Sequence, residues 1–282
     1  MPLLSVFIRG LYSAAFFVGL VALAAMAAAL PASAQAAEML DKTTIRLGVI
    51  EGDELEVWQM AVTYAREKEG LNIVLVPFSD YILPNEALNN GELDANAFQH
   101  QPYLEAQIAQ RGYKITPAGD TCLYPLGAYS RNVKKLEDLP KGATIGIPDD
   151  PSNEGRALRL LAQKELITLD DPANIFVTPI NITGNPKNLQ FQEMDSGILG
   201  RAIADMDLVI VTNSWVSATG LNPATELIAA ESPINNPYVN FIAVRSEDMG
   251  KPWVKKLVAS YQNNMVRGAI QRVFGNRAIT PW

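Results

Sequence analysis

The chain has one cysteine and one histidine among its 282 residues. A lone Cys122 excludes an intrachain disulfide. With His100 as the only imidazole, the usual Cys/His zinc site lacks ligands. A core of this size needs no covalent staple, so the missing disulfide does not argue against secretion. Within Thr121-Cys122-Leu123-Tyr124 the thiol is expected to be a buried small hydrophobe. Catalytic signatures are also missing: there is no Gly-x-Ser-x-Gly elbow, no His-Glu-x-x-His and no Gly-rich phosphate loop. The adjacent acids Asp149 and Asp150 suit helix capping better than two facing catalytic carboxylates. Positive charge is scarce, with 23 Lys and Arg against 30 Asp and Glu and a net charge of −7. Such a chain has no electrostatic footprint for nucleic acid and little attraction to anionic lipid. No low-complexity linker and no repeat of fixed period occurs.

Long apolar runs are confined to the N-terminus. Arg9 is the only charge in residues 1–34, an apolar run extends from Leu11 to Leu30, and Pro31 and Ala32-Ser33-Ala34 follow. A basic start, an apolar core and a small-x-small site describe a cleavable signal peptide over 1–34, cut after Ala34 or, second, after Ala36. A retained anchor is the alternative, because the run is nearly long enough to span. Cleavage after Ala34 leaves 248 of the 282 residues and, with Arg9 gone, a charge of −8. No cysteine lies near the cleavage site to carry a lipid.

Strand and helix patterns alternate through the rest. Thr44–Ile50 reads as a strand, and Leu55–Glu69 as a helix with Leu55, Trp58, Val62 and Ala65 on one face, closed by Gly70. Asn72–Pro77 and Asp94–Phe98 are further strands, the second feeding a Gln101–Arg111 helix closed by Gly112. After Tyr124–Ser130 a second unit begins. Thr144–Pro148 is a strand, and Asp150 caps a helix with Pro151 at its first position, running to about Glu165. Asn188–Glu193, Leu208–Thr212 and Tyr238–Val244 read as strands, and Lys251-Pro252 opens a long C-terminal helix. Glu92-Leu93-Asp94-Ala95 and Met206-Asp207-Leu208-Val209 echo each other as matching strand starts. The βαβ alternation predicts an α/β fold of two lobes with a ligand cleft between them, domain interfaces being preferred ligand sites. The expected division is lobe 1 over 41–126 and 237–282, and lobe 2 over 127–236.

Two segments carry candidate chemistry. Asp94-Ala95-Asn96-Ala97-Phe98-Gln99-His100-Gln101-Pro102-Tyr103 sets the only imidazole beside two aromatic rings at the carboxyl end of a strand, where open α/β sheets bind ligands. His100 is then either a pocket residue or a histidine satisfied inside a helix-start turn. Asp149-Asp150-Pro151-Ser152-Asn153-Glu154-Gly155-Arg156 puts an arginine in the first turns of a helix, where free N–H groups favour an anion. Arg156 either grips a carboxylate through parallel hydrogen bonds or pairs on the surface with Asp149, Asp150 or Glu154. Glu51, Asp53 and Glu54 either reach the cleft or supply favourable charge at a helix N-terminus.

With these residues in view, the chain resembles the NlpA/MetQ family of periplasmic methionine-binding proteins of ABC importers. The resemblance rests on Ser79–Leu88, Asp94–Tyr103, Asp150–Arg156, Asn185-Pro186-Lys187-Asn188-Leu189 and Pro237-Tyr238-Val239-Asn240 taken together. It implies the two-lobe periplasmic binding protein fold and a binding protein rather than an enzyme. The implied partners are an amino-acid ligand, methionine or a close derivative first, and an inner-membrane ABC permease. It implies no cofactor, no metal, no nucleic acid and a monomer. Tyr81, Phe98, His100 and Tyr103 match the aromatic and imidazole side of the family's pocket, Arg156 its carboxylate-binding arginine and Asn240 an asparagine on the returning segment. Thr212 stands where the family usually carries a ligand-contacting asparagine. Asn213 is adjacent but points the other way in a regular strand. Glu51-Gly52-Asp53-Glu54 replaces a frequent Pro-Gly-Pro-His. The lipid-bearing cysteine of many members is absent, so the expected location is the periplasm, without a stable membrane anchor. A binder of another amino acid or a short peptide is the alternative within this class. A secreted hydrolase or isomerase using His100 is the alternative outside it.

Overall fold

Two five-stranded sheets organise residues 41–282, the part of the chain that the computed structural model describes. The expected signal segment, 1–34, lies outside the described residues. The first sheet has the order β2 (Asn72–Phe78), β1 (Thr44–Ile50), β3 (Ala95–His100), β12 (Val239–Arg245), β4 (Ile115–Leu123). The second has the order β9 (Gln190–Met194), β6 (Thr144–Pro148), β10 (Leu208–Thr212), β5 (Leu126–Tyr129), β11 (Leu227–Ala230), and β7 (Thr168–Leu169) pairs with β8 (Ile182–Gly184) in a separate two-stranded ribbon. The pairing repeats: β1 and β6 each run parallel to both neighbours, while β12 and β5 run antiparallel to theirs. The chain crosses from the first sheet to the second between β4 and β5 and returns between β11 and β12.

The echo between the two strand starts has a physical cause. The Asp94 carboxylate accepts the Arg46 N–H at 2.7 Å, and the Asp207 carboxylate accepts the Thr144 N–H at 2.9 Å. In each lobe an aspartate just ahead of the central strand thus pins the start of its parallel neighbour. The central strands carry near-continuous buried side chains, as strands covered on both faces must. The buried amides in β3 are satisfied by α2 (Leu83–Asn89): Asn96 donates to Asn85 Oδ1 at 2.9 Å, and Asn85 donates to Gln99 Oε1 at 2.8 Å.

Several elements depart from the sequence reading. The first helix, α1, starts earlier, at Asp53–Tyr64, and ends in a wider π-turn, Ala65–Glu69, before Gly70. Its buried face is Glu54, Val57, Trp58 and Ala61, continued by Ala65, while Leu55 and Val62 are half-buried. α3 runs Gln101–Arg111 as expected, and α4 runs Pro151–Gln163. The long C-terminal helix is two: after the short α5 (Ser196–Leu199) and α6 (Pro223–Glu226), α7 (Pro252–Tyr261) and α8 (Asn264–Phe274) are separated at Gln262-Asn263. Asn263 leaves helical geometry and accepts the N–H groups of Met265 and Val266, so it caps α8 rather than continuing α7. Each sheet has its own apolar core. A third cluster joins Ile50, Tyr81, Phe98 and Tyr103 to Tyr129, Val211 and Trp215, across the cleft between the lobes.

Candidate ligand site between the lobes

β3 delivers His100 to the cleft as its last residue, and the same residue caps α3. Its Nδ1 accepts the Tyr103 N–H at 3.2 Å. The ring proton therefore sits on Nε2, which donates to Asn153 Oδ1 at 3.1 Å. Burial, reinforced by the Arg156 charge, pushes the imidazole down to about 3, so it is neutral near neutral pH. One nitrogen of His100 thus satisfies the helix start, and the other is held by Asn153, a second residue of the cavity lining.

Tyr81, Phe98, His100, Tyr103, Thr212 and Asn240 line one cavity, together with Asn153 and Gln99. Three rings form its apolar wall. Phe98 lies 5.6 Å from Tyr81 and from Tyr103, centroid to centroid, and Trp215 lies 5.5 Å from Tyr81. Edge and tilted contacts of this kind fix ring orientation. The Tyr103 hydroxyl donates to the Tyr81 carbonyl at 2.7 Å, and the Tyr81 hydroxyl meets Ser214 Oγ at 3.3 Å. Burial raises the pKa of both tyrosines, so both hydroxyls keep their protons. Asn240 donates its amide to the Phe98 carbonyl at 2.9 Å. Thr212 Oγ1 is buried and has no hydrogen-bond partner. Asn213, the first residue of the 3-10 turn that follows β10, is not part of the lining and accepts the Tyr129 hydroxyl at 2.8 Å. The cavity as it stands is about 10 Å³, room for one water.

Arg156 lies one residue behind the lining. It is 2% exposed and is not the surface pair considered from the sequence. Its Nε and Nη2 edge donates to Glu231, with Nε at 3.0 Å from Oε1 and Nη2 at 2.5 Å from Oε2. Nη2 also reaches the Tyr124 carbonyl at 3.0 Å, and the guanidinium stacks 4.1 Å from the centroid of the Tyr238 ring. Its remaining nitrogen, Nη1, is 3.5 Å from Asn153 Oδ1, which lines the cavity. Asp150 caps α4 as predicted, accepting the Asn153 N–H at 2.9 Å, and it also holds the Asn153 side-chain amide.

The acids after the first strand stay out of the cavity. Asp53 accepts from Ser217 Oγ at 2.6 Å and from Arg277 at 3.2 Å. Glu54 is buried with an unpartnered oxygen, and burial, then Asp53, pushes its carboxyl up to about 8. Glu51 lines a groove at the cleft mouth with Asp80 and Asp195. Cys122 is buried against the Tyr261 hydroxyl, and burial pushes its thiol up to about 12. Among the described residues no group of three or more His, Cys, Asp and Glu is arranged to hold a metal ion, and no helix is long and apolar enough to cross a membrane. Sequence reasoning missed Asn153, Trp215, Glu231 and Tyr238. Asn153 had a signal, being three residues before Arg156 and so on the same helix face. Glu231 had none.

The NlpA lipoprotein family model matches residues 45–282. The D-methionine-binding lipoprotein MetQ of Salmonella typhi is 42% identical over 244 residues, covering 86% of this chain and 90% of that protein. A nutrient binding protein from Burkholderia cenocepacia bound to methionine superposes with a TM-score of 0.82 at 44% identity, over 84% of this chain and 100% of the other. A periplasmic substrate-binding protein of an ABC transporter from Coxiella burnetii superposes with a TM-score of 0.80 at 42% identity, over 83% and 99% of the two chains.

Proposed function

This chain belongs to the NlpA lipoprotein family, and from that premise we propose that it is the periplasmic substrate-binding protein of an ABC importer, with methionine or a close derivative as its ligand. The observation that carries this reading is the cavity itself. A wall of Tyr81, Phe98 and Tyr103 faces a few fixed polar groups across two lobes. An unbranched thioether gains from aromatic contact. Arg156 and His100 supply the polar end, with Arg156 as the group nearest to hand for a carboxylate. Thr212 and Asn240 offer further hydrogen-bond groups for the amino-acid head. We take 41–126 with 237–282 as one lobe and 127–236 as the other, closing on the ligand by a hinge motion and handing it to a membrane permease. His100 has no carboxylate among its hydrogen-bond partners, which favours binding over turnover.

A thermal-shift screen of unfolded and refolded protein tests the ligand. A true ligand at a hundredfold excess over its Kd stabilises by about 2.7 kcal/mol, roughly 5–10 °C in a chain this size. Methionine, in one or both enantiomers, should lead the amino acids and dipeptides. Arg156→Ala should weaken it at least about tenfold, and Arg156→Lys should not restore it, since one ammonium group cannot hold Glu231 and present a donor to the cavity as the guanidinium does. A shift with another compound and none with methionine would move the assignment to that compound.

The relatives are named lipoproteins, but the only cysteine here is Cys122, buried in β4. We read the mature chain as free in the periplasm and unlipidated. Intact-mass analysis of the native protein should give a start at Gln35 or Ala37 with no acyl mass. An acylated or uncut chain recovered from the membrane overturns this.

A further inference from the structure

We propose that Glu231 is the positioning residue for Arg156, aiming the guanidinium at the ligand and tying it to both segments that cross between the lobes. The proposal rests on the reading that Arg156 serves a ligand carboxylate, and it adds a residue that this reading does not contain.

Glu231 occupies the Nε and Nη2 edge of Arg156 with both carboxylate oxygens. The side chains of the pair are 1% and 11% exposed, so the guanidinium has no bulk water as a substitute partner. A guanidinium offers five N–H donors in a rigid fork. With one edge held by Glu231 and Nη2 also on the Tyr124 carbonyl, only Nη1 is left toward the cavity, beside Asn153. Tyr238 stacks on the guanidinium and removes its freedom to rotate out of that plane. The ligand carboxylate therefore meets one defined end of the arginine, not the usual side-on fork.

The same glutamate sits where the chain leaves the second sheet. Its N–H donates to the Leu126 carbonyl at 2.9 Å, and its Oε2 accepts the Leu126 N–H at 3.2 Å. Leu126 is the first residue of β5, the point at which the other crossing segment enters that sheet. One carboxylate thus joins both crossings to the side chain that reads the ligand. A change in the crossings moves Arg156, and a ligand on Arg156 biases the crossings.

Two effects of removing the charge have opposite signs, which makes the idea testable. Glu231→Gln removes a negative charge near the ligand carboxylate, and charge alone would tighten binding. It also sets an amide N–H₂ against the guanidinium donors, and positioning would be lost. Gln can still accept the Leu126 N–H, so the fold contact is kept. The experiment is calorimetric titration with methionine of wild type, Glu231→Gln and Glu231→Asp, beside the ligand-free melting temperature of each. We expect Glu231→Gln, which leaves Arg156 without its counter-charge, to melt lower than wild type yet stay folded and bind at least about tenfold more weakly, and Glu231→Asp to recover part of the affinity. Equal or tighter binding by Glu231→Gln overturns the proposal. So does a loss of affinity that tracks a loss of melting temperature with no recovery in Glu231→Asp. If Glu231→Gln does not fold, the Asp variant decides: affinity equal to wild type overturns, and a folded protein with weakened binding supports. Wild type that does not bind methionine at all sinks the functional reading instead, a different result from any of these.

Discussion

Thr212 Oγ1 is the one buried side-chain oxygen lining the cavity that has no partner within the protein. A buried hydroxyl left unpaired costs about 1–3 kcal/mol, which a ligand group can recover. Thr212→Val keeps the shape and removes the hydroxyl. It should therefore leave the ligand-free protein as stable as wild type or more stable, and weaken methionine about three- to tenfold, the worth of one neutral hydrogen bond. Unchanged affinity by calorimetry would mean that the hydroxyl does not touch the ligand. At this scale the sequence was legible where local chemistry decides. Asp150 before Pro151 announced a cap, and His100 before Pro102 announced a helix start. Glu231 was not legible, because its importance comes from Arg156, 75 residues earlier, and nothing local distinguishes it from a solvated acid.

At the scale of elements, closure depends on where two backbones meet. Gly197 in α5 faces the Ser79 carbonyl of the other lobe, and a Cβ at Gly197 would lie 2.5 Å from that oxygen. Backbone on the far side of such a contact cannot move aside as a side chain can. Asp53 with Ser217, and Arg277 with the Asn213 carbonyl, bridge the lobes nearby. Gly197→Val should keep the lobes from reaching this arrangement. Methionine affinity should fall at least about tenfold, while the ligand-free melting temperature falls only modestly, because with the lobes parted the nearest atom left to the new Cβ is Asp195 Oδ1 at 3.0 Å. Scattering of the methionine-saturated variant should retain the larger radius of the open form. A variant that contracts and binds as wild type does would show that the contact is not part of closure. The strands Thr144–Pro148 and Leu208–Thr212 and the helix Gln101–Arg111 were read to the residue, because apolar runs and Gly or Pro bound them. The break between α7 and α8 was not, because Asn263 resembles any polar helix position until its side chain turns to cap.

The two lobes repeat one plan, and the plan explains where the cavity lies. His100 ends the central strand of one sheet and Thr212 ends the central strand of the other, so both carboxyl ends open on the same space. Each lobe buries its own core, and the cleft adds a third apolar cluster. Stability of the whole unit should then respond to the ionisable groups sealed beside that cleft. His100 has its pKa depressed to about 3. Its contribution is present above the unfolded value near 6.5 and is lost as pH falls from there toward 3. Glu54 is raised to about 8 and has the opposite sign. Its contribution is complete below the unfolded value near 4.5 and is lost as pH rises from there through 8, because the folded protein must ionise a buried carboxyl that the unfolded chain ionises freely. Glu54→Gln removes that cost and nothing from the acid side. Its melting temperature should match wild type near pH 5 and exceed it by pH 8 by at least about 2–4 °C, the shift that about 1 kcal/mol gives a domain of this size. A gap of the same size at pH 5 and pH 8 would show that Glu54 is already ionised in the folded protein, with a partner or a water on the oxygen left bare here.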